Sequence, residues 1–301
     1  MTGAEFKIIE APSPLGLFPR GVELLPDALL AAGLAERLNA RLAGRVQPPP
    51  YDDRRDPTTQ MLNPRGIADY SVALADAVGA VLDAGEFPIV LGGDCSIVLG
   101  CLLALRRRAR HGLLFLDGHT DFYQPAAEPN GEAASMDLAL ATGRGPDIVT
   151  DLEGRRPLVR AEDVVAFASR DAEDAGAHGS QRAEDTAIRV MDLAAVRASG
   201  VAEAADRAVE HLGRAELIGF WIHLDADVLD DAVMPAVDYR MPGGLAWDEL
   251  VTTLLAAIES GRAVGLDLTI FNPRLDEDGS IAAALVDALA RGLAHAPSTR
   301  R

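Results

Sequence analysis

A series of short apolar runs punctuates the chain, and each ends at a glycine or a polar residue, beyond which the pattern changes. Residues 87–94 read FPIVLGGD, and residues 95–110 then carry the 3.6-residue apolar rhythm of a helix. The run GLLFL at 112–116 stops at Asp117, the run at 164–168 stops near Ser169, and FWIHL at 220–224 stops at Asp225. RAVGLDL at 262–268 leads into Asn272-Pro273. Helical stretches are predicted over 67–84, 193–212, 247–260 and 280–293 from the same periodicity. Strands apolar on both faces that alternate with helices indicate a mostly parallel sheet covered on each side. The pattern therefore predicts a three-layer α/β/α fold, with residues 1–301 forming one domain. No fixed-period repeat is visible, and Pro48-Pro49-Pro50 reads as a surface loop. The glycine- and proline-bearing stretches 125–134 and 230–244 are long for connections, and both follow acidic clusters.

Charge narrows the partners. The chain has 28 basic and 46 acidic residues, a net charge of −18 that repels phosphate backbones and anionic lipid headgroups. Neither nucleic acid nor membrane is an expected partner. Residues 1–10 lack a basic region followed by an apolar core, and no stretch approaches the ~18 apolar residues of a membrane span. The expected location is the cytoplasm. Cys95 and Cys101 lie on different faces of the predicted helix, so no disulfide is expected.

The chemistry concentrates at two strand ends. Asp117-Gly118-His119-Thr120-Asp121 and Asp225-Ala226-Asp227 each follow an apolar run. If the backbone stays extended, residues two apart point to the same side, so four carboxylates and one imidazole converge. Ligand sites in open parallel sheets lie outside the carboxyl ends of the strands, where both clusters fall. Gathered acids repel, and divalent cations or protonation relieve that repulsion. Two cations balance four carboxylates, and such a pair can share a hydroxide that attacks a carbon centre at neutral pH. A lone Asp-x-Asp at a strand end more often caps a turn; two such clusters with a histidine favour metal.

Three ordered motifs then resemble the arginase and agmatinase (ureohydrolase) family. Its Gly-Gly-Asp-His-Ser segment is similar to Gly92-Gly93-Asp94-Cys95-Ser96, and its Asp-Ala-His-x-Asp segment to Asp117–Asp121. Its Ser-x-Asp-x-Asp-x-x-Asp-Pro segment is similar to His223-Leu224-Asp225-Ala226-Asp227-Val228-Leu229-Asp230-Asp231. The likeness continues through Pro242-Gly243-Gly244-Leu245 and from Gly265-Leu266-Asp267 to Asn272-Pro273. The resemblance implies an α/β/α domain around an eight-stranded parallel sheet, assembled into trimers or hexamers; for the two divalent ions, oxygen-rich ligands with one imidazole favour Mn²⁺. It further implies that Asp117 and Asp225 bridge both ions, that Asp121 completes the more buried one, and that His119 with Asp227 completes the other.

The departures from the pattern matter as much. Cys95 stands at the family's first ligating histidine, and a thiolate would shift preference towards Zn²⁺, Fe²⁺ or Co²⁺. Ala134-Ser135-Met136-Asp137-Leu138 occupies the place of His-Gly-x-Pro-Leu, so the usual proton shuttle is absent; Ile270 replaces the glutamate that pairs with guanidinium. Asp171 and Glu173 are candidates for reading a substrate amine, and Arg240 for holding a substrate carboxylate. His223 is a candidate acid or base, set against a core histidine satisfied by backbone groups. The resulting expectation is a binuclear hydrolase of non-peptide C–N bonds in amidine, guanidine-type or amide compounds. The alternative is a catalytically silent relative with a structural or regulatory role.

Overall fold

The computed structural model describes residues 5–171 and 179–294. Eight strands form one all-parallel sheet: β1 (Phe6–Glu10), β2 (Arg41–Arg45), β3 (Phe87–Leu91), β4 (Gly112–Leu116), β5 (Val164–Phe167), β6 (Arg189–Met191), β7 (Phe220–Asp225) and β8 (Ala263–Thr269). Their order across the sheet is β2-β1-β3-β8-β7-β4-β5-β6. The two-residue alternation of strands sends Ile89, Leu91, Leu114, Leu116, Ile222 and Leu224 into one buried layer, and Val90, Leu113, Phe115 and Trp221 into the other. Helices Pro64–Asp83 and Val98–Arg106 cover the second layer, and Val201–Leu212, Trp247–Glu259 and Ser280–Gly292 cover the first. The three-layer α/β/α architecture is the one the apolar pattern predicts.

Close packing shapes the centre of the sheet. Trp221 is fully buried and lies in register with Gly265 on β8, where an added Cβ would come within 2.1 Å of the indole ring. Glycine is thus needed at 265 so that the ring can lie against its backbone. Emptying that space by Trp221→Ala should cost about 3–5 kcal/mol.

The topology also fixes where a site can form. The chain leaves β3 for β4 across a gap that β7 and β8 later fill, so the loops after these central strands meet at one edge. A switch point of this kind opens a crevice at the carboxyl ends of the strands.

Three strands escape the periodicity reading. β2 is wholly exposed, β6 has three residues with one buried, and β1 mixes polar and apolar positions. The helix expected over 193–212 is two helices, Leu193–Ser199 and Val201–Leu212, broken at Gly200, whose φ is +85°. The helix expected from 95 begins as a 3-10 turn, Cys95–Ile97, and ends at Arg106. Both cysteines are free and buried. No helix among the described residues is long and apolar enough to cross a membrane.

Candidate metal centre

At the ends of β4 and β7 the acidic residues divide their oxygens between two tasks. Asp117 Oδ1 accepts the His119 N–H at 2.6 Å, and Asp225 Oδ1 accepts the Asp227 N–H at 2.7 Å, closing the turn Ala226–Val228. Each aspartate thereby caps a turn with one oxygen and keeps the other for the crevice, so capping and site-building are not rival explanations. The two loops are also tied together: Asp227 Oδ1 accepts the Gly118 N–H at 3.0 Å, and its Oδ2 lies 2.9 Å from His119 Nδ1.

β3 delivers the third component. Asp94 takes the Ser96 N–H at 2.9 Å and the Ser13 hydroxyl at 2.8 Å, which sets the start of the Cys95–Ile97 turn. The Cys95 thiol then points to Asp225 Oδ2 at 2.8 Å and lies 3.4 Å from Thr269 Oγ1. The extended backbone invoked to make 117, 119 and 121 converge does not persist, because Asp121 has a φ of +42°. Left-handed residues stand beyond strand ends at Asp121, at Ala168 after β5 and at Ile270 after β8, and Asp121 and Ile270 line the crevice.

The resulting cluster has an outer and an inner part. Asp117, His119 and Asp227 present ligand atoms within 4.8 Å of one another, as do Cys95, Asp121 and Asp137, and as do Cys95, His223 and Asp225. His119 keeps 24% of its side-chain surface, whereas His223 and Asp137 have none. Asp137 went unrecognised in the sequence; its signal was there, as an acid at the motif position normally held by proline. His223 is buried but is not satisfied by backbone: its Nδ1 lies 2.6 Å from Asp267 Oδ2.

Electrostatics shows why the cluster fits cations. Asp117 Oδ2, both oxygens of Asp137 and His223 Nε2 are buried without a hydrogen-bond partner among the described residues. Burial, then the charge of Asp227, pushes the Asp117 carboxyl up to about 6. Burial and neighbouring acids push Asp121 and Asp225 well above the usual carboxylate range; for Asp137 burial and Asp117 outweigh the opposing effect of His223. The Cys95 thiol is pushed up by burial and by Asp225. Burial opposes charge on His223, yet Asp267, Asp137 and Asp117 outweigh it and hold the ring's pKa at about 9. Protons are retained here because positive charge is otherwise lacking, which is the condition divalent cations relieve.

A cavity of about 230 Å³ opens above the cluster, and Cys95, His119, Asp121, Asp225 and Asp227 line its floor. Ala134 and Ile270 form apolar wall, Glu132 and Tyr239 form polar wall, and the Tyr239 hydroxyl donates to Glu132 at 2.7 Å. Asp171 also lines the cavity, but it accepts the Thr120 N–H and hydroxyl at 3.0 and 3.1 Å and so braces the β4 loop. Arg240 is not brought to the cavity: it is exposed and pairs with Asp231 at 3.3 Å. Glu173 lies outside the described residues.

Comparison with known proteins agrees with this geometry. An arginase from Staphylococcus aureus (strain COL) is 29% identical over 283 residues, covering 91% of this chain and 92% of its own. An arginase from Bacillus caldovelox is 29% identical over 294 residues, covering 94% and 96%. The native structure of Bacillus caldovelox arginase superposes with a TM-score of 0.86 at 26% identity, over 96% of this chain and 98% of that one. The model of the arginase family matches residues 4–295, and the chain belongs to that family.

Proposed function

We propose that this chain hydrolyses a non-peptide C–N bond in a small amidine- or amide-type molecule, using two divalent ions held by Asp117, His119, Asp121, Asp225 and Asp227 with Cys95. The observation that carries the reading is the buried convergence of these groups at the floor of an open cavity, with the second oxygen of Asp117 left without a partner. When bound, a pair of ions supplies Lewis acidity and acidifies a water towards neutral pH. The protein's own part is to hold and orient. Asp227 steadies His119, and Asp171 fixes the loop through Thr120. Manganese suits the oxygen-rich outer group, whereas Cys95 favours Zn²⁺, Co²⁺ or Fe²⁺.

Ile270 argues against an ordinary guanidinium substrate. It is 5% exposed in the cavity wall, and a buried cation lacking a partner there costs several kcal/mol. Less basic compounds such as hydroxyguanidines, formimino or formamido compounds fit best. A cytoplasmic, homo-oligomeric enzyme, trimeric or hexameric, accompanies this reading by family resemblance. A silent scaffold has no use for mutually repelling buried acids, which disfavours the structural alternative. The test is a panel of amidines and amides assayed for released ammonia, urea or formamide. Turnover that Asp225→Ala reduces to background is expected; an unchanged rate in that variant rules the mechanism out.

A further inference from the structure

We infer that the inner ion of this centre is held by a relocated imidazole: His223 Nε2, with Asp137 as an additional carboxylate ligand beside Cys95 and Asp121. The inference rests on the binuclear reading above and goes beyond it. His223 and Asp225 lie two apart on β7 and so face the same side of the sheet. His223 is in register with Asp267 on β8, and its ring stacks on Phe115 with centroids 4.6 Å apart. Asp267 is fully engaged, since Oδ1 accepts the Trp221 indole N–H and Oδ2 meets His223 Nδ1. A carboxylate on one imidazole nitrogen, aiming the other at a cluster of ligand atoms, is the arrangement that orients metal-binding histidines.

The distances agree with a shared ion. His223 Nε2 lies 3.9 Å from Asp137 Oδ2 and 4.0 Å from Asp117 Oδ2. These separations are too long for hydrogen bonds, but two ligands each ~2.1 Å from one ion stand up to about 4.2 Å apart. Both Asp137 oxygens and His223 Nε2 lack partners among the described residues although their side chains are fully buried. An orphaned acid and an orphaned imidazole in such surroundings are costly unless something lies between them. Three departures from the family's motifs also meet here: cysteine for histidine at 95, histidine for serine at 223, and aspartate for proline at 137. The imidazole lost from the turn after β3 returns from β7. A sulfur–nitrogen–oxygen donor set selects a borderline ion, Zn²⁺, Co²⁺ or Fe²⁺, over Mn²⁺.

The test loads the full-length protein with Co²⁺ and reads metal content together with the near-ultraviolet thiolate-to-cobalt absorption band. The wild type should hold two ions per chain and show the band. His223→Asn and Asp137→Asn should each weaken the inner ion by about 10- to 100-fold or more and diminish the band, while one ion stays at Asp117, His119 and Asp227. Because a buried substitution can unfold the chain, the exchange variant Cys95→His/His223→Ser serves as a second arm: it should hold two ions without the band. Two ions and an unchanged band in both single variants would overturn the inference and leave the hydrolase reading intact. A wild type that holds no ion would overturn both.

Discussion

The outer and inner halves of the cluster are made of similar residue types, yet they are built in different ways. Outer residues Asp117, His119 and Asp227 come from two loops beyond neighbouring strands and are already in contact with one another; His119 and Asp227 line the cavity, as the inner residues Cys95 and Asp121 also do. Among the inner residues, Cys95, Asp121, Asp137 and His223 come from four separate segments, and three of them depart from the family's motifs. Local sequence can mark the first kind of site, because its members sit directly beyond two apolar strands whose pairing brings the two loops together. The second kind draws on more segments of the assembled sheet, so its parts can move between strands provided the donors still point to one place. The outer half should therefore be intolerant of any change, and the inner half should tolerate exchanges that preserve its donors.

The largest effect is expected at Asp225, which neighbours both halves: Asp225→Ala should abolish turnover and reduce bound metal. Measuring content by elemental analysis and finding two ions retained would break the comparison at its root. Next is Asp267→Asn, which keeps the shape but removes the charge orienting His223. Affinity for the inner ion should fall about 10- to 100-fold with the outer ion unaffected, as read by calorimetric titration. Equal losses at both sites would mean that the halves are one unit.

A smaller effect is expected at Ile270, where Ile270→Glu supplies a carboxylate to the cavity wall. The kcat/KM ratio for a guanidinium compound over a neutral amide should rise about 10-fold or more, since a charge-assisted hydrogen bond contributes about 1.5–3 kcal/mol. A ratio that does not move would show that the wall does not read substrate charge.

The smallest effect concerns the metal-free protein and pH. Asp117, held at about 6, ionises later in the folded chain than in the unfolded one, so its contribution to stability is lost as pH rises from about 4 to 6. His223, held at about 9, contributes fully below its ordinary value near 6.5 and loses that contribution as pH rises through 9. Asp121, Asp137 and Asp225 are shifted in the same sense as Asp117, whereas Asp227 is lowered and opposes them at the acid end. The chelated protein should melt several degrees lower at pH 9 than at pH 5.5, and saturating metal should flatten that difference. An equal or rising melting temperature under chelation would contradict the assignment of these shifts.

Much of the frame and of the outer half was legible because each part carried its own local signal. β4 occupies residues 112–116 as its apolar run predicts, Asp117 follows it directly, and Asp225 and Asp227 stand at the end of β7; Asp121 comes after a left-handed turn that no apolar run signals. β2 was illegible because RLAGR is exposed at every position, and β6 because three residues carry no period. His223 was masked by its setting: inside FWIHL a histidine resembles a core residue, and its partner Asp267 is 44 positions away. Asp137 reads in sequence as part of a lost motif; its unpartnered oxygens beside Cys95 and Asp121 emerge only in the fold.

The most direct measurement is anomalous diffraction from crystals of the cobalt-loaded protein. Two peaks about 3.5–4 Å apart are expected, one bounded by Asp117, His119 and Asp227 and the other by Cys95, Asp121, Asp137 and His223. Side chains at 117, 225 and 227 turned away from one another, with no peak among them, would contradict that arrangement.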